Sequence, residues 1–341
     1  MDDVQRLRSS LDPFILSLLA TVAIASVLPA RGAGARAFSD LSTAGICLLF
    51  FLHGARLSPR AALDGMRQWR LHLLIFTLTF VVFPLLMLPL TLLEPGLIPH
   101  ELFVGLVFLS VLPSTVQSSI AFTSIARGNV AAAVCSASMS NLIGVVLSPL
   151  LVSVLLGANA RVSGSSMLSV AAQLLLPFLA GQLLRSRISP ALKRHPRALA
   201  SVDRGSVLIV VYTAFGAGVV AGIWHRVSWQ QLVAVGVIDV ALLAIVLTIS
   251  TVGARMLGFD RGDRIAAVFC GSKKSLASGL PMATLLFPAA TVSTIVLPLM
   301  IFHQIQLIAC AALSRRYARR QAPEALADGA GPQASALAAA S

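Results

Sequence analysis

The chain has 341 residues, 57% of them apolar and only 11% charged, with a mean hydropathy of +0.88 and a formal net charge of +13. A water-soluble domain carries about 25% charged residues, so a soluble enzyme, a disordered chain and a fibrous chain are excluded. An all-α polytopic membrane protein remains, and at about 20 apolar residues per crossing this length holds roughly ten spans.

Ten apolar segments follow in chain order: 12–29, 38–55, 71–93, 101–126, 129–156, 167–185, 205–224, 229–257, 263–287 and 291–313. The first begins at Asp12-Pro13 and has no small-residue cleavage site close behind it, so it reads as a retained span. Polar amphipathic pieces, Pro59 to Arg70 and His225 to Gln231, precede the third and eighth segments. The fourth and ninth are interrupted, at Leu112-Pro113-Ser114-Thr115-Val116-Gln117-Ser118-Ser119 and at Gly271-Ser272-Lys273-Lys274-Ser275. The end of the chain turns rich in Ala, Gly, Ser, Pro and Gln, so residues 316–341 are expected to form a disordered cytoplasmic tail.

The basic residues set the orientation. With the N-terminus inside, twenty Lys and Arg fall on the inner side, in clusters such as Arg185 to Arg204 and Arg315 to Arg320. Only Arg31, Arg36, Arg161 and Arg226 fall outside. This bias predicts cytoplasmic termini in a cell (inner or plasma) membrane. The basic surplus therefore marks topology and lipid-headgroup contact, not nucleic-acid binding. Residues 1–157 and 158–315 form two five-span repeats, and because five is odd the second inserts inverted. Broken helices at matching places in inverted repeats are the architecture of a secondary transporter.

The breaks carry the chemistry. Lys273 and Lys274 lie about 15 Å along a helix from Arg264, near mid-membrane, where a Lys costs about 2.5–3.5 kcal/mol to insert. They need protein, water or a ligand around them. Pro113 removes a backbone donor and Gly271 and Pro281 favour a second break. Freed backbone groups, with Ser114, Thr115, Gln117, Ser118, Ser119, Ser272 and Ser275, then line a cavity. Asp239, deep in the eighth span, is either an ion-pair partner of Lys273 or Lys274 or a proton carrier or cation ligand. Thr79, Asn129, Asn141, His303 and Gln304 are placed around this site, with Gln306 close by. Cys47, Cys135, Cys270 and Cys310 lie in apolar runs without metal-ligand spacing and read as reduced core residues. No metal, no cofactor and no enzyme motif is indicated: H-E-x-x-H, a Walker A loop and G-x-S-x-G are all missing.

Several stretches carry a resemblance. They are Leu49-Phe50-Phe51-Leu52-His53-Gly54-Ala55-Arg56-Leu57-Ser58, Thr79 to Pro84, Ala126-Arg127-Gly128-Asn129-Val130-Ala131, Leu147-Ser148-Pro149-Leu150 and Ile301-Phe302-His303-Gln304. Together with the two breaks they resemble the bile acid:sodium symporter superfamily, solute carrier family 10, over about residues 12–315. The double-Lys break is similar to a divergent branch that includes the seventh mammalian member and the yeast calcium-homeostasis regulator. The resemblance implies ten helices in inverted 5+5 repeats, a core and a panel domain, and a site where helices 4 and 9 cross. It also implies where sodium would bind, and there this chain departs. Aligned on Gly271, Phe269 stands for the family's sodium-binding Glu and Lys273 for its Gln. The fifth-helix hydroxyls become Ala133 and Ala137, and the third-helix Gln becomes Thr79. The expectation is a secondary transporter of a small anionic organic solute, with a proton or sodium as coupling ion but no sodium at the usual sites. The alternative is a non-transporting membrane regulator of calcium or cell-envelope homeostasis.

Overall fold

The computed structural model describes residues 13–56, 68–93, 98–156, 164–220, 222 and 227–329. Among these, all regular structure is helical. In chain order the helices are α1 (Pro13–Val27), α2 (Gly32–Arg56), α3 (Trp69–Leu90), α4 (His100–Val111), α5 (Gln117–Ile125) and α6 (Val130–Leu156). They continue as α7 (Gly164–Arg194), α8 (Pro196–Val220), α9 (Trp229–Met256), α10 (Arg261–Gly271), α11 (Leu276–Leu286) and α12 (Ala289–Gly329). Both expected interruptions are present: α4 and α5 share one apolar segment, as do α10 and α11.

Five of these helices are long and apolar enough to cross a membrane unaided: Gly32–Arg56, Trp69–Leu90, Val130–Leu156, Trp229–Met256 and Ala289–Arg319. The broken segments fall short because each is divided into two half-helices of 9 to 12 residues, too short to cross alone. Residues 57–67, 157–163 and 223–226 lie outside the described residues, and with them most of the Pro59–Arg70 piece, the junction between the repeats and the start of the His225–Gln231 piece; Trp69–Arg70 open α3, and Ser228–Gln231 form the start of α9.

Helix ends follow local chemistry. Ser228 opens α9 with a capping box, accepting from Gln231 N–H while the Gln231 side chain accepts from Ser228 N–H. The Asp260 side chain caps α10 by accepting from Asp263 N–H at 2.7 Å. Leu112 is extended (ψ 152°), as expected of a residue before proline.

Three expectations are corrected. First, α2 begins at Gly32, not at 38, because exposed Arg36 interrupts the apolar run without interrupting the helix. Second, the basic stretch expected as a loop between 185 and 205 is helical. There α7 runs to Arg194 and α8 starts at Pro196, which suits the first helical position. Third, α12 continues to Gly329, through half of the stretch expected as a tail without structure. Arg315, Arg316 and Arg319 are exposed along it, and Arg has high helix propensity.

The helices pack in two groups. In the first, α2 lies against α7 and α8, and α1 against α8. The α2–α7 crossing is reciprocal: Gly54 faces the Phe178 carbonyl and Gly181 faces the Phe51 carbonyl, so neither position has room for a Cβ. Small residues let two backbones approach in this way inside a membrane. In the second group, α4 packs on α12 and α6, while α10 packs on α3, α5, α6 and α9. Phe83, Phe108 and Phe302 are fully buried here, with Phe83 edge-on to Phe302 at 6.0 Å between centroids.

Candidate functional site

The two breaks meet. Ser275 N–H, at the second break, donates to the Pro113 carbonyl, at the first, at 2.9 Å. Where α4 ends, its carbonyls lose their intrahelical donors, and each of five in a row finds another. Ser110 and Leu112 accept from the Lys274 ammonium, at 2.6 and 2.9 Å. Val111 accepts from Ser148 Oγ at 2.7 Å, and Ser114 accepts from Asn141 Nδ2 at 2.7 Å. Ser114 N–H donates to Ser140 Oγ at 3.0 Å. Ser140, Gly144 and Ser148 recur every four residues on one face of α6. A Cβ on Gly144 would meet the Pro113 ring at 2.7 Å, so this face is shaped to seat the break.

The second break is held from α12. Gln306 accepts from Lys274 N–H and donates to the Lys274 carbonyl, both at 2.8 Å, and contacts His303 Nδ1 at 2.9 Å. Ser275 caps α11 through Ser278 N–H, and Ser278 Oγ donates to Asn141 Oδ1 at 2.7 Å. Ser272 Oγ donates to the Val268 carbonyl and Ser119 Oγ to the Phe269 carbonyl. Thr115 Oγ1 lies 2.7 Å from Ser118 Oγ and 3.2 Å from Ser119 Oγ. Gln117 is exposed and Ser118 half-buried, so the crossing opens on that side while Ser114, Thr115 and Ser119 are buried. The half-helices α5 and α11 both begin here, bringing two positive dipole ends to the crossing.

The two lysines, both fully buried, point to different places. Besides the two α4 carbonyls, the Lys274 ammonium contacts the Thr79 carbonyl at 2.7 Å and lies 4.0 Å from the Phe83 ring centroid. The Thr79 carbonyl is free for a local reason. Over Leu78–Val82, α3 has π geometry, and Phe83 N–H reaches back to Leu78. The next residue, Pro84, has no N–H to give to Thr79. Lys273 turns away, 3.9 Å from the Phe122 ring centroid and 5.7 Å from that of Phe269, and its ammonium has no hydrogen-bond partner.

Of the two, it is the Lys274 ammonium that binds the crossing, through the Ser110 and Leu112 carbonyls. Asp239 is buried with neither carboxyl oxygen hydrogen-bonded, so of its two readings the ion pair with either lysine is not formed. Pro281 does not break the chain: the break spans Ser272–Ser275, and α11 runs through Pro281. Neighbouring helices tolerate the lost backbone bond, as is common in membranes. Gly271 ends α10 and lies against Leu78, where a Cβ would be 2.6 Å from Leu78 Cδ1. Asn129 lies away from the crossing. It caps α6 through Ala132 N–H and donates to Asp263 Oδ1 at 2.7 Å, tying α6 to α10. Gln304 is half-buried, with its side-chain oxygen unpartnered.

Sequence alone placed Gln306 only near the site and assigned no role to Ser140, Ser148, Phe83 or Phe122. Two signals were present: the His303–Gln306 spacing of three, and the four-residue period of small and polar residues in α6.

The chain matches the family model described as SBF-like CPA transporter family over residues 12–319. It belongs to the SBF-like CPA transporter family. An uncharacterised Pseudomonas aeruginosa protein is 54% identical over 315 residues, covering 91% of this chain and 94% of that one. YfeH of Escherichia coli is 50% identical over 313 residues, covering 91% and 94%. Sodium/bile acid cotransporter 7-A of Xenopus laevis is 28% identical over 312 residues, covering 89% and 90%. The resemblance to the bile acid:sodium symporter superfamily is thus shown. As a member of the SBF-like CPA family the protein is a multi-pass membrane transporter and not an enzyme.

Proposed function

We propose that the protein is a secondary transporter that moves a small anionic organic solute by alternating access, with the crossing of the two breaks as the solute site. The observation that carries this is the Lys273 ammonium, buried beside the crossing without a hydrogen-bond partner. A buried cation without an anion is costly, and a bound carboxylate, sulfate or phosphate group would relieve it. The dipole ends of α5 and α11 favour the same sign. Gln117 and Ser118 supply hydrogen bonds at the open side, with the buried hydroxyls of Thr115 and Ser119 behind them. Ser114, Ser272, Ser275 and Asn141 hold the breaks in shape.

The architecture proposed is ten spans in two inverted repeats, 1–157 and 158–315, with both termini cytoplasmic in the cell membrane. Packing supports it. Counting α4 with α5 and α10 with α11 as single spans, exchanging the repeats turns the α1–α8 contact into the α7–α2 contact and α4–α12 into α10–α6. All four are observed. The group α1, α2, α7 and α8 would be the panel and the rest the core that moves against it.

Sodium does not couple at the sites where Phe269, Lys273, Ala133, Ala137 and Thr79 stand. Asp239 is the candidate coupling group. A carboxylate without a donor is expensive in apolar surroundings and the neutral acid is not, which suits a residue that takes up and releases a proton.

The test is uptake of a panel of labelled organic anions (mono- and dicarboxylates, steroid sulfates, phosphate esters) into proteoliposomes holding the full chain. Accumulation of one class that Lys273→Met abolishes, with the fold retained, is expected. Uptake unchanged in Lys273→Met, or no uptake of any member, contradicts the assignment.

A further inference from the structure

The surroundings of the Lys274 ammonium have the form of a cation site. Its three partners, the carbonyls of Thr79, Ser110 and Leu112 at 2.7, 2.6 and 2.9 Å, can only accept. A neutral amine has two N–H bonds and a lone pair, so a third carbonyl would face that lone pair. Three carbonyls at bonding distance require three N–H donors, which only the ammonium has. The Phe83 ring face, 4.0 Å away, adds a further cation-attracting surface. Two of the carbonyls belong to the negative dipole end of α4, and the third is released by the π geometry of α3 and by Pro84. Three separate backbone features therefore converge on one positive charge.

We infer that Thr79, Ser110 and Leu112 form a monovalent-cation site whose resident occupant is the Lys274 side chain. The chain supplies as a tethered group the charge that a free alkali or ammonium ion would otherwise bring. A tethered cation is always present and cannot be released, so this site holds the middle of α3 and the end of α4 against the second break under every ionic condition. Filling it from within also leaves no room there for a dissociable ion. The inference concerns stability and stands whether or not the protein carries an anion.

Removing the side chain beyond Cβ vacates a space with the outline of n-propylammonium, whose three carbons and –NH3+ match Cγ to Nζ. The experiment compares the full chain and its variants in detergent, in choline, sodium, methylammonium and n-propylammonium chlorides at equal ionic strength. It reads the thermal midpoint and the yield of monodisperse protein. For Lys274→Ala a midpoint lowered by about 5 °C or more in choline is expected, with saturable recovery in n-propylammonium and partial recovery in methylammonium or sodium. Wild type, Lys273→Ala and Lys274→Met, whose stem still fills the space, should respond alike to all four salts. If Lys274→Ala is too unstable to purify in choline, its yield on extraction in n-propylammonium is the readout, and recovery there supports the inference. It is overturned if Lys274→Ala matches wild type in choline, if no cation restores midpoint or yield, or if Lys274→Met is restored equally.

Discussion

Lys273 and Lys274 are neighbours with opposite situations, and their variants should separate accordingly. Lys274→Ala leaves three buried carbonyls without a donor, at about 1–3 kcal/mol each, so strong destabilisation is expected by thermal unfolding in detergent. Lys273→Met removes no hydrogen bond and spares the burial of a charge. Its loss is a cation–π contact worth about 2 kcal/mol when desolvated, so its midpoint should stay close to wild type while anion uptake falls. Equal midpoints for the two variants would contradict the different bonding of the pair. Gln306→Leu removes both bonds that clamp the Lys274 backbone, and should destabilise more than Gln304→Leu, whose side-chain oxygen has no partner. The double lysine was legible as a site because two charges at that depth demand an explanation. Which lysine faces the crossing was not legible, because it depends on carbonyls that a π turn and Pro84 free in another helix.

At the scale of elements, both breaks could be located from proline and small polar residues alone. The same rule misjudged Pro281, because a proline breaks a helix only where neighbouring packing does not hold the backbone, and α11 is buried along almost its whole length. Helix ends at the membrane edge were underestimated for a related reason. Apolar runs stop at an arginine, but helices do not, so Arg36 and the arginines beyond Arg185 were assigned to loops. Helix contacts are set by glycines that the breaks require. Gly144→Val would push α6 from Pro113 and part Ser140, Asn141 and Ser148 from the carbonyls they serve. It should lower the midpoint and uptake together. Gly205→Ala, where nothing lies within 4 Å of an added Cβ, should leave both unchanged. Losses of equal size in both variants would show that the α6 face does not seat the break.

For the whole molecule, the charge bias and the exchange of packing pairs support one topology. A cysteine at exposed His195, between α7 and α8, should react with a membrane-impermeant maleimide only from the cytoplasmic side. One at Ala160 should react only from outside; the reverse pattern would refute the inverted repeat and the orientation together. The proposed proton role of Asp239 makes a matching claim about energy. Accumulation driven by an imposed pH gradient should be lost in Asp239→Asn, while exchange of labelled for unlabelled solute at equal pH persists. The most direct test of a sodium-independent anion transporter is accumulation of the identified anion in proteoliposomes as sodium is replaced by choline at constant ionic strength. The account predicts the same initial rate at every sodium concentration and abolition by Lys273→Met. A rate that rises saturably with sodium, or anion uptake indifferent to Lys273, would contradict it.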